Sequence, residues 1–107
     1  MKIQVHEDEV LKRSQAGGTL IGPEHGATNG YCIDVAFYDR ETYNPPGVHE
    51  DQEGFYVLEG RGAAKVGDEE FEIRPGSAFI AAKGVPHQIK KAPGSKPVKV
   101  LWSHGAV

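Results

Sequence analysis

The feature that most limits how this chain can fold is its punctuation. Fourteen glycines and seven prolines are spread over 107 residues, and beyond Gly17 they cut most of the chain into pieces the length of a strand. Short strands separated by regular turn signals predict an all-β sandwich or barrel. Residues 31–38 alternate most clearly. Tyr31, Ile33, Val35 and Phe37 fall on one apolar face, and Cys32, Asp34, Ala36 and Tyr38 on a mixed one, as expected of a wall with a core on one side. Phe55 to Leu58 predicts a short strand ending at Gly60. Gly62 to Val66 and Glu70 to Ile73 predict a hairpin across Gly67-Asp68, with Phe71 and Ile73 facing in. Further strands are expected over Ser77 to Ala82, from His87 onward, over Pro97 to Ser103, and over Lys2 to Val5. Glu7 to Ser14 offers a single helical turn.

Composition narrows the classes of function. The length suits one domain, residues 1–107. A net charge of -3 and a pI near 5.9 leave no electrostatic footprint for nucleic acid, and Lys90, Lys91, Lys96 and Lys99 read as a solvated edge strand. The lone Cys32 excludes an internal disulfide and reads as a small buried hydrophobe. Residues 1–8 lack the apolar core of a signal peptide, and no window is apolar enough for a membrane span. The expectation is a soluble, cytoplasmic protein without nucleic-acid or membrane partners. There is no Gly-x-Ser-x-Gly elbow, no P-loop and no dinucleotide fingerprint. Glu59-Gly60-Arg61-Gly62 is turn chemistry, because a phosphate cradle of backbone amides needs a helix behind it.

The side chains that carry chemistry are His49, Glu50, Asp51 and Glu53, and, well downstream, His87. Imidazoles and carboxylates are ligands of divalent metals. In an extended chain His49 and Asp51 would stand about 6.6 Å apart and His49 and Glu53 about 13 Å apart. The first pair can share an ion directly, whereas the second needs a bend. Taken alone, the acidic run reads equally well as a solvated loop, and His87 as a packed or capped residue.

Together these residues resemble a family pattern. His49-x3-Glu53-x6-Gly60, with the wording Tyr56-Val57-Leu58-Glu59-Gly60, is similar to the second half of the first cupin motif, Gly-x5-His-x-His-x3,4-Glu-x6-Gly. Gly76, Gly84 and His87 fit the second cupin motif at the required spacing. The two matches cover about residues 43–60 and 76–91. The resemblance implies a single-domain antiparallel cupin-type β-barrel, jelly-roll-like, with a site opening at one end. It also implies a divalent transition metal (iron, manganese, nickel or zinc) held by His49, Glu53 and His87, with family spacing favouring Glu53 over Asp51. The chain departs from the pattern at four places: Glu41 stands at the opening Gly, Gly47 at the first His, Ala82 at the Pro and Lys91 at the Asn. A fourth ligand would then be water, Asp51 or a His from elsewhere. His6, His25 and His104 are not expected as ligands, and His104 is expected to face solvent or a partner subunit. Two functions follow from the resemblance. One is a metalloenzyme acting on a small oxygen-bearing molecule; the other is a non-catalytic binding or sensor module with little or no metal. A homodimer pairing through Lys2 to Val5 and Val98 to Trp102 is the expected assembly.

Overall fold

The computed structural model describes residues 2–105. Its elements are helix α1 (Glu7–Leu11) and strands β1 (Gly17–Ile21), β2 (Cys32–Tyr38), β3 (Gln52–Glu59), β4 (Gly62–Val66), β5 (Glu69–Ile73), β6 (Ala78–Ala81), β7 (His87–Lys91) and β8 (Val98–Gly105), with a 3-10 turn at Pro23–His25. The strands form two antiparallel sheets, one ordered β1-β2-β8-β3-β6 and the other β5-β4-β7. The β4–β5 hairpin closes as expected. Gly67 takes φ +59° while Asp68 stays out of the left-handed region, which makes a type II′ turn and explains the order Gly-Asp.

Cross-strand partners share a face, so the register aligns side chains in rows across the large sheet. Thr19, Asp34, Trp102, Phe55 and Phe79 make one row. Towards one end of the barrel the next row is Cys32, His104, Glu53 and Ala81, and away from it lie Ala36, Val100 and Val57. This face is the interior. Phe55, Val57, Val98 and Val100 form one buried cluster with Ala64, Ile73, Ala81 and Ile89, against which Tyr38, Phe79 and Trp102 pack.

That register reverses the expectation for β2. Its mixed face, Cys32, Asp34, Ala36 and Tyr38, is the one that looks inward. The apolar face is covered from outside by α1. Val10 lies 2.9 Å from where a side chain on Gly18 would begin. Phe37 lies under Lys99, whose ammonium reaches Glu7 of the helix at 2.8 Å. Val35, on the helix side, is 1% exposed, and burying a side chain of its kind contributes roughly 1.5–3 kcal/mol.

Residues Lys2 to Val5 form no strand. They lead into α1, whose start is closed by His6: Nδ1 accepts the Asp8 amide at 3.1 Å, and the His6 amide donates to Glu9 at 3.0 Å. The lysines of the expected edge strand divide between elements. Lys90 and Lys91 lie on β7, an edge, but Lys99 is on β8 in the middle of the large sheet. No described helix is long and apolar enough to cross a membrane.

Candidate metal centre

β3 begins at Gln52, three residues before the expected Phe55, so Glu53 is a strand residue. It points inward because it shares the parity of Phe55 and Val57, which are 4% and 0% exposed. His87 opens β7 and shares the inward parity of Ile89. His49 sits in the preceding loop, which is pinned to the β7 approach by backbone bonds. Gly47 and His87 exchange two N–H···O bonds of 3.0 Å, and the Gly84 amide donates to the His49 carbonyl at 2.8 Å.

These constraints bring His49 Nε2 to 3.2 Å and His87 Nε2 to 3.4 Å from Glu53 Oε1. One ligand atom from each of the three residues lies within 4.8 Å of the others. Donors each about 2.1 Å from one ion, in tetrahedral or octahedral array, stand about 3.0–3.4 Å apart.

The electrostatics fit the same use. Burial pushes the Glu53 carboxyl up to about 7; the charges of Asp51 and Asp34 add to the rise, while His104 opposes it. Burial likewise holds His87 below the ordinary imidazole range, with His49 and His104 contributing and the Val85 carbonyl opposing. His87 Nδ1 faces that carbonyl at 3.4 Å. A carbonyl only accepts, so Nδ1 carries the hydrogen and the Nε2 lone pair is turned towards Glu53. Glu53 Oε1 is buried and has no hydrogen-bond partner among the described residues. Two lone pairs therefore confront each other in a dry place, an arrangement that calls for a proton or a metal cation between them.

His104 was the residue that sequence reasoning misplaced. It does not face solvent: it is the cross-strand partner of Glu53. Its Nδ1 meets Asp51 Oδ2 at 2.8 Å. Its ring stacks between those of Trp102 and His49, with centroids 5.0 and 5.1 Å away. That bond to His104 is the main reason the Asp51 carboxyl lies below its ordinary range. Asp51 thus serves His104, and Glu53 is the carboxylate that meets the two other imidazoles. The signal was present in the parity of Val98, Val100 and Trp102; carrying β8 one residue beyond Ser103 puts His104 on the same inward face.

Cys32 is the other cross-strand neighbour of His104, which places the residue types of a thiol triad together. Burial pushes the thiol up, and Asp34 pushes it further, so it stays protonated and is not an activated nucleophile. His6 caps α1, and His25 Nδ1 accepts the Gly22 amide at 3.2 Å within the 3-10 turn. Neither joins the cluster.

Gly47 lies against the His87 ring. A Cβ there would lie 2.9 Å from His87 Nε2, so the imidazole occupies the space in which a side chain at this position would start.

A model of the cupin domain matches residues 36–104. The chain belongs to the cupin family. This cupin is 34% identical over 53 residues to an uncharacterized protein of Methanocaldococcus jannaschii, a match covering 50% of this chain and 42% of that protein. It thus spans less than half the length of that curated relative. Among solved structures it is similar to the polyketide cyclase RemF of Streptomyces resistomycificus (25% identity, TM-score 0.76, 98% of this chain and 80% of that one). It is also similar to the Cnp3 cupin domain of Schizosaccharomyces pombe (17% identity, TM-score 0.73, 85% of this chain and 60% of that one), a likeness of fold alone.

Proposed function

We propose that this cupin holds one divalent transition metal (iron, manganese, nickel or zinc) at His49, Glu53 and His87, and binds a small oxygen-bearing organic molecule there. The observation that carries the reading is the buried, unpartnered Glu53 Oε1 faced by two imidazole nitrogens at 3.2 and 3.4 Å. A bound metal of this kind acts as a Lewis acid or activates water or dioxygen. The chain's own residues supply the rest. The Val85 carbonyl fixes the His87 tautomer, and the Asp51–His104 pair braces one face of the His49 ring. The His49 side chain, 42% exposed, marks the side from which a ligand enters. RemF is by its name a polyketide cyclase, and its likeness to this chain supports an oxygen-rich organic ligand.

A second reading, a binding module without metal, draws support from two observations. Gly47 removes one imidazole from the family's ligand set, and a carboxyl near 7 can remain protonated inside the barrel. Elemental analysis of protein purified without chelator or a nickel column separates the two. Close to one metal per chain is expected, falling sharply in His87→Ala, which removes one of three protein ligands. Negligible metal, with no uptake of any of the four ions, selects the metal-free module.

The described residues are proposed to act as one cytoplasmic domain that pairs as a homodimer. β8 lies between β2 and β3, so it has no free edge for pairing, and Lys2 to Val5 is not a strand. The outer face of the large sheet supports the dimer instead, since Tyr56 and Ile80 are 46% and 59% exposed there.

A further inference from the structure

The end of the barrel away from His49, Glu53 and His87 carries a surface cavity of about 420 Å³, with Arg61, Arg74, Glu72 and Ser77 on its walls and Ile73 and Ala92 beneath. The register places it. Val66 stands opposite His87 and Gly62 opposite Lys91, so the two ends of β4 are about 13 Å apart.

Most of the cations around this end are spoken for. Lys91 pairs with Asp39 at 2.7 Å, Lys96 with Glu59 at 2.8 Å and Lys99 with Glu7 at 2.8 Å. Among the described residues, neither Arg61 nor Arg74 has a carboxylate within pairing distance or a hydrogen bond from its guanidinium. Their backbones, by contrast, are tightly held. The Arg61 amide donates to Ser95 Oγ at 3.0 Å and its carbonyl accepts from Ala92 at 2.8 Å. On either side of it, Gly60 and Gly62 lie so close to the neighbouring backbone that a Cβ would clash with the carbonyl oxygens of Pro97 and Lys90. Arg74 opens the turn Arg74-Pro75-Gly76-Ser77, closed by Ser77 N to Arg74 O at 2.8 Å, with Gly76 at φ +94°. Ser77 Oγ accepts the Arg74 amide at 2.9 Å, so its own hydroxyl hydrogen is left to donate.

We infer that this cavity binds a small dianionic phosphate group, gripped by the guanidinium groups of Arg61 and Arg74. Guanidinium presents paired N–H donors that match phosphate oxygens. Anchored backbones reduce the freedom lost on binding. The Glu72 carboxylate on the same wall opposes any anion there and leaves the lining with one net positive charge, which suits one phosphate group rather than a chain of them. The grip comes from side chains, so the helix that a backbone cradle would need is not required.

The test is an amide NMR titration of the full chain with inorganic phosphate, methyl phosphate and succinate, read at Arg61, Gly62, Arg74 and Ser77. Saturable shifts at these amides are expected with both phosphates, the tighter of the two telling a free anion from an ester. Binding should weaken at least tenfold in the double variant Arg61→Gln/Arg74→Gln, and less in Arg61→Lys or Arg74→Lys. The amide spectrum itself reports that each variant is folded. The absence of saturable shifts, equal binding by the double glutamine variant, or tighter binding of succinate than of either phosphate would overturn the assignment.

Discussion

Glu53→Gln should stabilise the metal-free protein while destroying the proposed metal site. In the folded, metal-free chain the carboxyl is pushed up to about 7 from an ordinary 4.5, chiefly by burial. The folded state therefore holds this proton more tightly than the unfolded state. The associated stability is fully present below pH 4.5 and is lost as pH rises through about 7. At about 1.36 kcal/mol per unit, the ionised carboxylate costs the folded protein about 3 kcal/mol at pH 8 and roughly 1 kcal/mol at pH 5. Glutamine keeps the shape and never ionises. Urea unfolding of chelator-treated protein should then find Glu53→Gln about 3 kcal/mol more stable than wild type at pH 8, roughly 1 kcal/mol more stable at pH 5, and nearly equal well below pH 4.5. In midpoint temperature the pH 8 gain is roughly 10–20 °C for a domain of this size. With saturating metal the order should invert, because only the carboxylate protein gains the linkage term. Identical pH profiles for the two chelated proteins, or a glutamine variant less stable at pH 8, would refute the claim that burial dominates the Glu53 environment.

Gly47→Ala places a methyl group 2.9 Å from His87 Nε2; unfolding should show a loss of about 1–3 kcal/mol, and metal titration a weaker site. Asp51→Asn and His104→Ala should each lower metal affinity about 10–100-fold by releasing the His49 ring, less than Glu53→Gln does. If Asp51→Asn empties the site and Glu53→Gln leaves it full, the two carboxylates have been assigned the wrong way round. Sedimentation should give a dimer mass at micromolar concentration and a monomer for Ile80→Asp; a monomeric wild type would remove the outer sheet face from consideration.

The residues that were legible in the sequence are those whose position follows from local rules. Gly67-Asp68 signalled a hairpin, and the spacing from Glu53 to Gly60 and from Gly76 to His87 carried the family pattern. What could not be read depends on which layer covers which face. The apolar side of β2 looked like a core face because alternation says that a face is buried, not what buries it; α1 covers it, and the polar-bearing side faces in. His104 was missed for a related reason. Its role comes from lying beside Glu53 across two strands distant in the chain, and strand order is not a local property. Gly47 looked like a missing ligand, and what the sequence did not show is that the His87 ring tip lies where a side chain at this position would begin.

The position of β8 has a consequence for how the barrel assembles. It joins β2 on one side to β3 on the other, with Tyr38 paired to Val98 and Phe55 to Trp102. On a growing chain, β1–β2 and β3–β6 can form as separate antiparallel pairs, but the large sheet cannot close until residues 98–105 arrive. Closing such long loops late makes folding slow, in the millisecond-to-second range expected of non-local β pairings, and leaves two strand edges open meanwhile. Trp102, the chain's single tryptophan, lies on that last strand and packs against the core. Its fluorescence should therefore change with the docking of β8, the step that unites the two halves, and stay silent while the flanking strand pairs form.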